Sequence, residues 1–248
     1  MHAVDADPPF PLPRLHGEPD AEGWIEEVAH YRVSPREKPK FQSILPTATL
    51  FAKGSGYAKI RMRSRPTALD GDRAYEVIGE QRLGHIVVDE HLTCIHRRGG
   101  IVAERLERTI GTARHETVQF DGGPFPWPHA TYPEVLLPFL MRGVPLDGER
   151  RALYSWTNDR FVARVYIEAR GGKKPIQLPA GRIDAIECWM YPDLNDWVSL
   201  GQVLTRLAKP LLPRYDIFFE AAPPHRVVRY EGPYGPPGAI EVLLELDR

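Results

Sequence analysis

Cysteine, long apolar runs and an excess of one charge are what this sequence lacks. Its 248 residues include two cysteines, Cys94 and Cys188, which excludes a disulfide-rich scaffold and a cysteine-rich metal site. No stretch approaches the roughly 18 consecutive apolar residues of a membrane-spanning helix. With 32 basic and 33 acidic residues the formal net charge is −1, so nothing indicates nucleic-acid binding. Both cysteines lie among apolar residues and are expected to be buried free thiols, with a single bridge between them left open.

The sequence motifs of nucleotide binding, metal binding and serine hydrolysis are also missing. No GxSxG, P-loop or GxGxxG pattern occurs, and no HxH, HExxH or CxxC spacing. Four histidines fall in neighbouring predicted strands, but their spacing fits no metal motif: His85, His91, His96 and His115. We therefore expect no metal and no cofactor.

The first residues, Met1 to Asp5, contain no basic stretch followed by an apolar run, which is how a secretory signal begins. On that basis we expect a cytoplasmic protein, or a periplasmic one if a leader has been removed.

Proline, by contrast, is abundant, with 25 residues or about twice the usual share. Five prolines lie in the first 23 residues among few aliphatic side chains. We interpret residues 1–23 as an extended N-terminal arm and residues 24–248 as one domain. The apolar fraction of 42% is that of a folded protein, so the prolines shape loops.

Most of the chain from residue 47 onward alternates apolar and polar residues with a period of two, which is typical of β-strands. Each run ends at glycine, proline or aspartate, as closely spaced antiparallel strands do. The predicted strands are Thr47–Phe51, Tyr57–Arg63, Ala74–Gly79, His85–His91, Ile101–Ile110, Arg114–Phe120, Arg151–Trp156, Phe161–Glu168, Ile183–Met190, Tyr215–Glu220, Arg226–Tyr230 and Ile240–Leu246.

Two segments break this alternation. Tyr132–Met141 is continuously apolar with Pro138 inside it, which predicts a short, broken helix. Trp197–Lys209 is apolar at helical spacing and stops before Pro210, which predicts an amphipathic helix. The sequence therefore predicts a mainly β protein. We expect a single antiparallel sheet, curled into a lipocalin-like or open barrel with one or two short helices.

Three proline-rich loops, at residues 121–134, 189–197 and 230–238, combine aromatic and acidic side chains at the ends of predicted elements. Such loops present side chains in fixed directions, and one mouth of a barrel could gather them. Aromatic walls with a few carboxylates suit an apolar ligand that has one or two polar groups. The candidate ligand-binding residues are Asp121, Phe125, Trp127, Glu134, Trp189, Trp197, Tyr230 and Glu231.

Four further loop residues could carry acid–base chemistry. His129 or Asp196 would move a proton, while Tyr132 or Tyr234 would donate a hydrogen bond to a developing oxyanion. An enzyme of this kind would be a cofactor-independent lyase, isomerase or hydratase. Structural roles are open at the same positions: a core plug for Tyr132 and Trp127, a backbone hydrogen bond for His129, a helix cap for Asp196 and a plain hairpin turn around Tyr234.

Five segments carry a family resemblance: residues 69–77, 142–149, 161–166, 178–185 and 224–228. Through these turns and alternating strands the chain resembles the bacterial family called domain of unknown function 3108, over roughly residues 28–246. The resemblance implies an antiparallel, barrel-like sheet with an interior groove, often in envelope proteins, and it brings no assigned catalytic residues. The chain departs from that family by inserting Trp197–Lys209 and the loop around Trp127, and by lacking an export signal.

Taken together, these features predict a barrel-like protein that encloses a hydrophobic or aromatic small molecule and either only binds it or also transforms it. We expect Trp127, His129 and Tyr132 to share one cavity with Trp197 or Tyr234. The alternative function is a non-catalytic, envelope-associated or partner-binding protein. A homodimer is left open.

Overall fold

The computed structural model describes residues 15–36, 55–68, 72–84, 86–97, 100–110, 114–119, 131–133, 137–158, 161–193, 214–233 and 241–248. The predicted strand Thr47–Phe51 and the predicted helix Trp197–Lys209 lie outside these residues. The predicted arm is described only from Leu15, whose side chain is buried.

Strands make up nearly all of the regular structure in the described residues. The first seven are β1 (Ile25–Pro35), β2 (Gly56–Pro66), β3 (Arg73–Leu83), β4 (Ile86–Arg97), β5 (Gly100–Ile110), β6 (Arg114–Gln119) and β7 (Thr131–Pro133). A helical turn, α1 (Leu137–Leu140), continues into the 3₁₀ turn Met141–Gly143. The remaining strands are β8 (Arg151–Asn158), β9 (Phe161–Ala169), β10 (Lys174–Leu178), β11 (Gly181–Pro192), β12 (Tyr215–Glu220), β13 (Val227–Pro233) and β14 (Glu241–Leu246).

All of these strands belong to one sheet, in the order β6-β5-β4-β3-β2-β1-β14-β13-β12-β11-β9-β8-β7, with β10 paired to β11. Every ladder is antiparallel except the one between β7 and β8. No ladder between described residues joins the two edge strands, yet β7 approaches β5 to within 8 Å between Cα atoms. The sheet is therefore curled but open, which confirms the predicted fold class.

Alternation along each strand separates a concave face, which carries the core, from a convex face. On β1 the inward positions Ala29, Tyr31 and Val33 are buried, whereas Val28 between them is exposed. Inward and outward residues alternate in the same way on the other strands, because directly paired residues of neighbouring strands lie on the same face of the sheet. The largest fully buried side chains are Tyr31, Tyr75, Phe219, Leu83, Leu92, Met141, Leu153, Ile167, Ile217 and Leu246.

The segment from α1 through the 3₁₀ turn lies against the concave face. Phe139 packs edge-on against Tyr31, with ring centroids 5.7 Å apart. Arg142, 5% exposed, directs Nη1 and Nη2 at the Glu27 carboxylate, at 2.8 and 3.0 Å. Its Nε and Nη2 also donate to the carbonyl oxygen of Pro224, at 3.2 and 3.1 Å. This segment thereby ties β1 to the turn between β12 and β13.

The structure corrects two predictions of local structure. The start of the predicted helix Tyr132–Met141 is wrong, since Tyr132 lies in strand β7. Pro133 disfavours helical geometry for the residue before it, so Tyr132 is extended and the helical turn begins only at Leu137. Strand β1 was missed by the sequence analysis, although it joins the two halves of the sheet by pairing with β2 and β14.

Both cysteines are free and buried on the concave side of separate strands, as the sequence predicted. Burial raises the pKa of the Cys188 thiol to about 12. The bridge left open above is absent, and the Cys188 thiol is not poised to react as a thiolate.

Candidate functional site

A hydrogen-bonded pair of one buried carboxyl group and one half-buried amide interrupts the apolar concave wall on β3 and β4. Glu90 lies between Val88 and Leu92 at inward positions of β4 and is only 8% exposed. The amide Nε2 of Gln81, an inward residue of β3, donates to Glu90 Oε2 at 3.3 Å. Carboxylates are rarely this buried in proteins without a specific partner or role. We call Gln81 and Glu90 the concave polar pair.

Strand register defines what flanks this pair. On the β3 side the residue directly opposite Glu90 is Gly79, which has no side chain. On the β5 side the directly opposite residue is Arg108, at a register position on the same face. On the β3 side the pair therefore adjoins a gap in the row of side chains.

The wall around the pair is apolar along the strands. Gln81 is followed at the next inward position by Leu83, and Glu90 is preceded by Val88 and followed by Leu92. Towards the opposite end of the strands, Met62, Val77 and Leu92 form one row of directly paired, buried residues. The concave polar pair thus lies among apolar neighbours on β3 and β4. A further hydrogen bond on the concave face runs from Arg73 Nη2 to the buried Ser64 Oγ, at 3.2 Å.

Arg142 and Glu27 lie beside one row of this apolar surface. Glu27 is directly paired with Met62, and the Met62 sulfur lies 4.0 Å from Arg142 Nη1. The α1 segment therefore contacts the row Glu27–Met62–Val77–Leu92, and through Phe139 it also contacts Tyr31, which shares a row with Gln81. The concave polar pair lies further along the strands, one and two rows away from the row of Glu27.

Three of the predicted ligand-binding residues are described, and two of them share a face. Asp216 on β12 is the direct partner of Trp189 on β11 and of Glu231 on β13, so the three residues lie side by side. Their neighbours Cys188 and Ile217 are the buried concave residues, which puts Trp189 and Glu231 on the convex face. Tyr230 faces the other way, and its hydroxyl donates to the carbonyl oxygen of Pro233 at 2.5 Å.

Trp189 is engaged by its surroundings on the convex face. The guanidinium groups of Arg170 and Arg214 lie 4.0 and 3.8 Å from its ring centroid. Its indole nitrogen donates to Glu187 Oε1 at 2.7 Å. Cation–π contacts of this kind stabilise a side chain by about 0.5–1 kcal/mol each at exposed sites. This arrangement holds the ring rigidly beside the β11 end that leads into residues 194–213.

Glu231 is likewise held by two ion pairs. Arg36 Nη2 lies 2.8 Å from Glu231 Oε2, and Arg229 Nη2 lies 2.8 Å from Oε1. Arg36 also pairs with Glu241 at 3.1 Å. The carboxylate of Glu231 therefore links β1, β13 and β14 across the convex side.

Most of the remaining predicted site residues lie outside the described part of the chain, and their roles stay predictions: Asp121, Phe125, Trp127, His129, Glu134, Asp196, Trp197 and Tyr234. Tyr132 is described as part of β7, directly paired with Ser155 of β8. Because β6 and β7 are the two edge strands, the proline-rich segment 120–130 connects the two edges of the sheet.

Histidine and acidic side chains form no metal-type cluster in the described residues. His91 lies on the convex face, where its Nε2 is 2.8 Å from Glu76 Oε1. No helix in the described part of the chain is long and apolar enough to cross a membrane.

The concave polar pair was missed by the sequence analysis, which searched the loops. A signal for it was present, because Glu90 occupies the same strand parity as Val88, Leu92 and Cys94. An acidic residue at an apolar parity is the pattern that a buried functional carboxylate leaves in a strand.

The fold and the concave face together define a barrel-like antiparallel β protein with a curled, open sheet. No protein-family model matches the chain, and no curated protein matches it. The resemblance to domain of unknown function 3108 is thus confirmed only as far as the barrel-like sheet.

Two solved structures resemble the chain at low identity. One is a beta-barrel-like protein of the domain of unknown function DUF1849 from Brucella abortus, with 8% identity, 88% of this chain and 94% of that chain covered, and a TM-score of 0.43. The other is a putative lipoprotein from Parabacteroides distasonis, with 11% identity, 93% and 96% covered, and a TM-score of 0.34. At such TM-scores the fold class rests on the strand pairing of this chain alone.

Proposed function

We propose that the protein binds a hydrophobic or aromatic small molecule against the concave face of its sheet. The observation that carries this proposal is the concave polar pair, Gln81 and Glu90, whose inward neighbours Leu83, Val88 and Leu92 are apolar. Ligand sites in proteins have this composition, mostly apolar with a few polar groups that fix orientation. The curled sheet supplies the wall, and the α1 segment packs against part of its concave face.

Fluorescence titration with N-phenyl-1-naphthylamine, a neutral aromatic probe that brightens in apolar surroundings, tests the proposal. We expect saturable binding to the folded protein and none after unfolding in urea. Native mass spectrometry of the purified protein should in addition show a co-purified small molecule. A folded protein that leaves the probe fluorescence unchanged would contradict the proposal.

A matched pair of variants locates the probe on one face of the sheet. Val87 and Val88 are adjacent, half-buried residues of β4, on the convex and concave faces respectively. Val88→Phe should crowd the concave space next to Gln81 and weaken probe binding about tenfold, since overpacking costs about 1–3 kcal/mol. Val87→Phe should leave binding unchanged. Equal effects of the two variants would place the probe elsewhere.

A catalytic extension of this function would rest on His129 and Asp196 with Tyr132 and Tyr234, as a cofactor-independent lyase, isomerase or hydratase. It stays a prediction, as do membership of the family called domain of unknown function 3108 and a cytoplasmic or envelope location. His129→Ala or Asp196→Asn should lower turnover of the bound molecule about a hundredfold if either group moves a proton. Asparagine caps a helix as well as aspartate does, so a helix cap would instead be identified by Asp196→Ala, with a lowered melting temperature and unchanged turnover.

A further inference from the structure

We infer that residues 15–24 form a strap across the end of the concave face where β1 begins, and that this strap detaches from the sheet as one unit when Arg63 releases it. The strap is attached at two points, one inside the protein and one on the convex face. Its detachment would open the fold at that end whether or not the concave face binds a ligand.

The inner attachment is Leu15. Its side chain is 7% exposed and belongs to the apolar core, although it precedes the first strand. Gly17 lies beside the start of β1, because a Cβ atom at this position would be 3.6 Å from Ile25 Cγ2. Ile25 faces inward there, as the direct partner of the buried Ser64. Two residues span at most about 7 Å, so Leu15 enters the core at this end of the sheet.

The outer attachment is a compact turn, Asp20–Trp24. The Asp20 carboxylate accepts from the backbone N–H groups of Glu22 and Trp24, both at 2.9 Å. Two backbone bonds close the turn, from Asp20 N to the Trp24 oxygen at 2.8 Å and from Gly23 N to the Asp20 oxygen at 2.9 Å. Four N–H groups are thus hydrogen-bonded while the turn is intact. So short a turn cannot offset its own loss of conformational entropy once it leaves the sheet.

Arg63, on the convex face of β2, fastens this turn to the sheet. Its Nη2 lies 3.1 Å from Asp20 Oδ2, and its guanidinium carbon lies 4.8 Å from the centroid of the Trp24 ring. The guanidinium of Arg65 lies 4.6 Å from the same ring. Arg63 Nη1 is in turn 3.3 Å from Glu76 on β3. The turn is therefore held by one ion pair and two cation–π contacts.

The contacts that hold the turn are individually weak, which makes the strap detachable. The side chains of Arg63 and Asp20 are 23% and 47% exposed, so water and salt screen their attraction. Between the two attachments, residues 16–20 are exposed and belong to no strand. Losing either attachment should therefore free the whole strap and withdraw Leu15 from the core.

Hydrogen exchange measured by NMR on the full chain tests this behaviour. The reference is the His30 N–H, which donates to the Arg248 carbonyl oxygen at 3.0 Å within the sheet. We expect the four N–H groups of the turn to share one protection factor, lower than that of His30, because the strap opens without the sheet. Leu15→Ala weakens the inner attachment alone, yet it should speed exchange in the turn about a hundredfold.

Variants on β2 assign the outer attachment to Arg63. Arg63→Met should speed exchange in the turn about tenfold, since it removes the ion pair and one cation–π contact. Arg61→Met is the matched control on the same strand and face, where the described residues offer Arg61 no ion pair, and it should have no effect. If Arg63→Met does not fold, Asp20→Asn serves instead, because asparagine keeps the turn acceptor and loses the charge. It should speed exchange about threefold, and added salt should then matter less than in the wild type.

Three outcomes would overturn the inference. Turn N–H groups as slow as His30 in the wild type would mean that the strap opens only when the whole protein unfolds. Unchanged exchange in Leu15→Ala would mean that the two attachments open separately. Equal exchange in Arg63→Met and Arg61→Met, or in Asp20→Asn and the wild type, would mean that Arg63 does not hold the strap.

Discussion

Replacing Arg142 by methionine should destabilise the protein by about 3 kcal/mol. The Arg142 guanidinium is buried and holds the Glu27 carboxylate at 2.8 and 3.0 Å while donating twice to the Pro224 carbonyl oxygen. Breaking a buried ion pair by removing one partner costs about 3–5 kcal/mol, because the other charge stays buried. The lower end applies since the side chain of Glu27 is still 18% exposed.

A second substitution shows how much of this loss of stability comes from the Glu27 charge that Arg142→Met leaves unpaired. In the double variant Arg142→Met, Glu27→Leu both charges are gone and the site is apolar. Replacing a buried ion pair by apolar residues of similar volume is often neutral, so stability should return to within about 1 kcal/mol of the wild type. With the single variant Glu27→Leu measured as well, the double-mutant cycle gives the coupling energy between the two side chains.

The control is an exposed ion pair that also involves β1, the strand that carries Glu27. Arg32 Nη2 lies 3.2 Å from Asp247 Oδ1, with side chains that are 61% and 42% exposed. Exposed pairs of this kind contribute about 0–1 kcal/mol, so Arg32→Met should have little effect.

Urea unfolding followed by circular dichroism gives the free energy of unfolding for all five proteins: the wild type, the two single variants, the double variant and Arg32→Met. The values can be compared directly when the free energy of unfolding falls with urea concentration at the same slope in each protein. The reasoning would be refuted if Arg142→Met lost less than about 1 kcal/mol, or if the double variant were as unstable as the single one.

Further expectations follow from the buried hydroxyl and thiol groups. Tyr31→Phe should cost about 1–2 kcal/mol in urea unfolding, because the Tyr31 hydroxyl donates to the buried carbonyl of Val227 at 2.7 Å, whereas Tyr57→Phe, at an exposed residue, should cost nothing measurable. Cys188 should not react with a thiol-specific disulfide reagent at pH 8 until the protein unfolds, because burial raises its pKa to about 12. The same group should make stability fall as pH rises: its contribution is fully present below the ordinary pKa of 9.0 and is lost between pH 9 and about pH 12, where only the unfolded thiol ionises. Cys188→Ala should flatten that decline in pH-dependent urea unfolding, and an equally steep decline would rule out the thiol as its cause.

Strands were predictable where alternation is uninterrupted. Tyr215–Glu220 was predicted with the bounds it has, and Tyr57–Arg63 falls within β2. Strand β1 was missed because Glu27 occupies an inward position and breaks the apolar series of Ile25, Ala29 and Tyr31. The partner that makes this tolerable, Arg142, is 115 residues away in sequence, and local pattern cannot reveal it.

The candidate site was less predictable, for a reason that also lies in strand parity. Trp189 and Glu231 were singled out because they stand next to proline-rich loops. Their direct pairing with Asp216 puts them on the convex face, one residue away from concave Cys188 and Tyr230. Successive residues of a strand face opposite sides of the sheet. The sequence can therefore locate a loop without showing which face the neighbouring strand residues occupy.

Glu27 and Glu90 are both acidic residues at inward positions, where burying a charged carboxylate is costly. Their hydrogen-bond partners differ. Glu27 is matched by the full guanidinium fork of Arg142, which also binds a backbone carbonyl, so its bonding capacity serves to hold the α1 segment. Glu90 receives a hydrogen bond from the neutral amide of Gln81 and lies opposite a glycine. An amide carries no charge, so Gln81 orients the Glu90 carboxyl group without neutralising it, as Arg142 neutralises Glu27. The proposed binding on the concave face is therefore tested most directly beside Gln81 and Glu90.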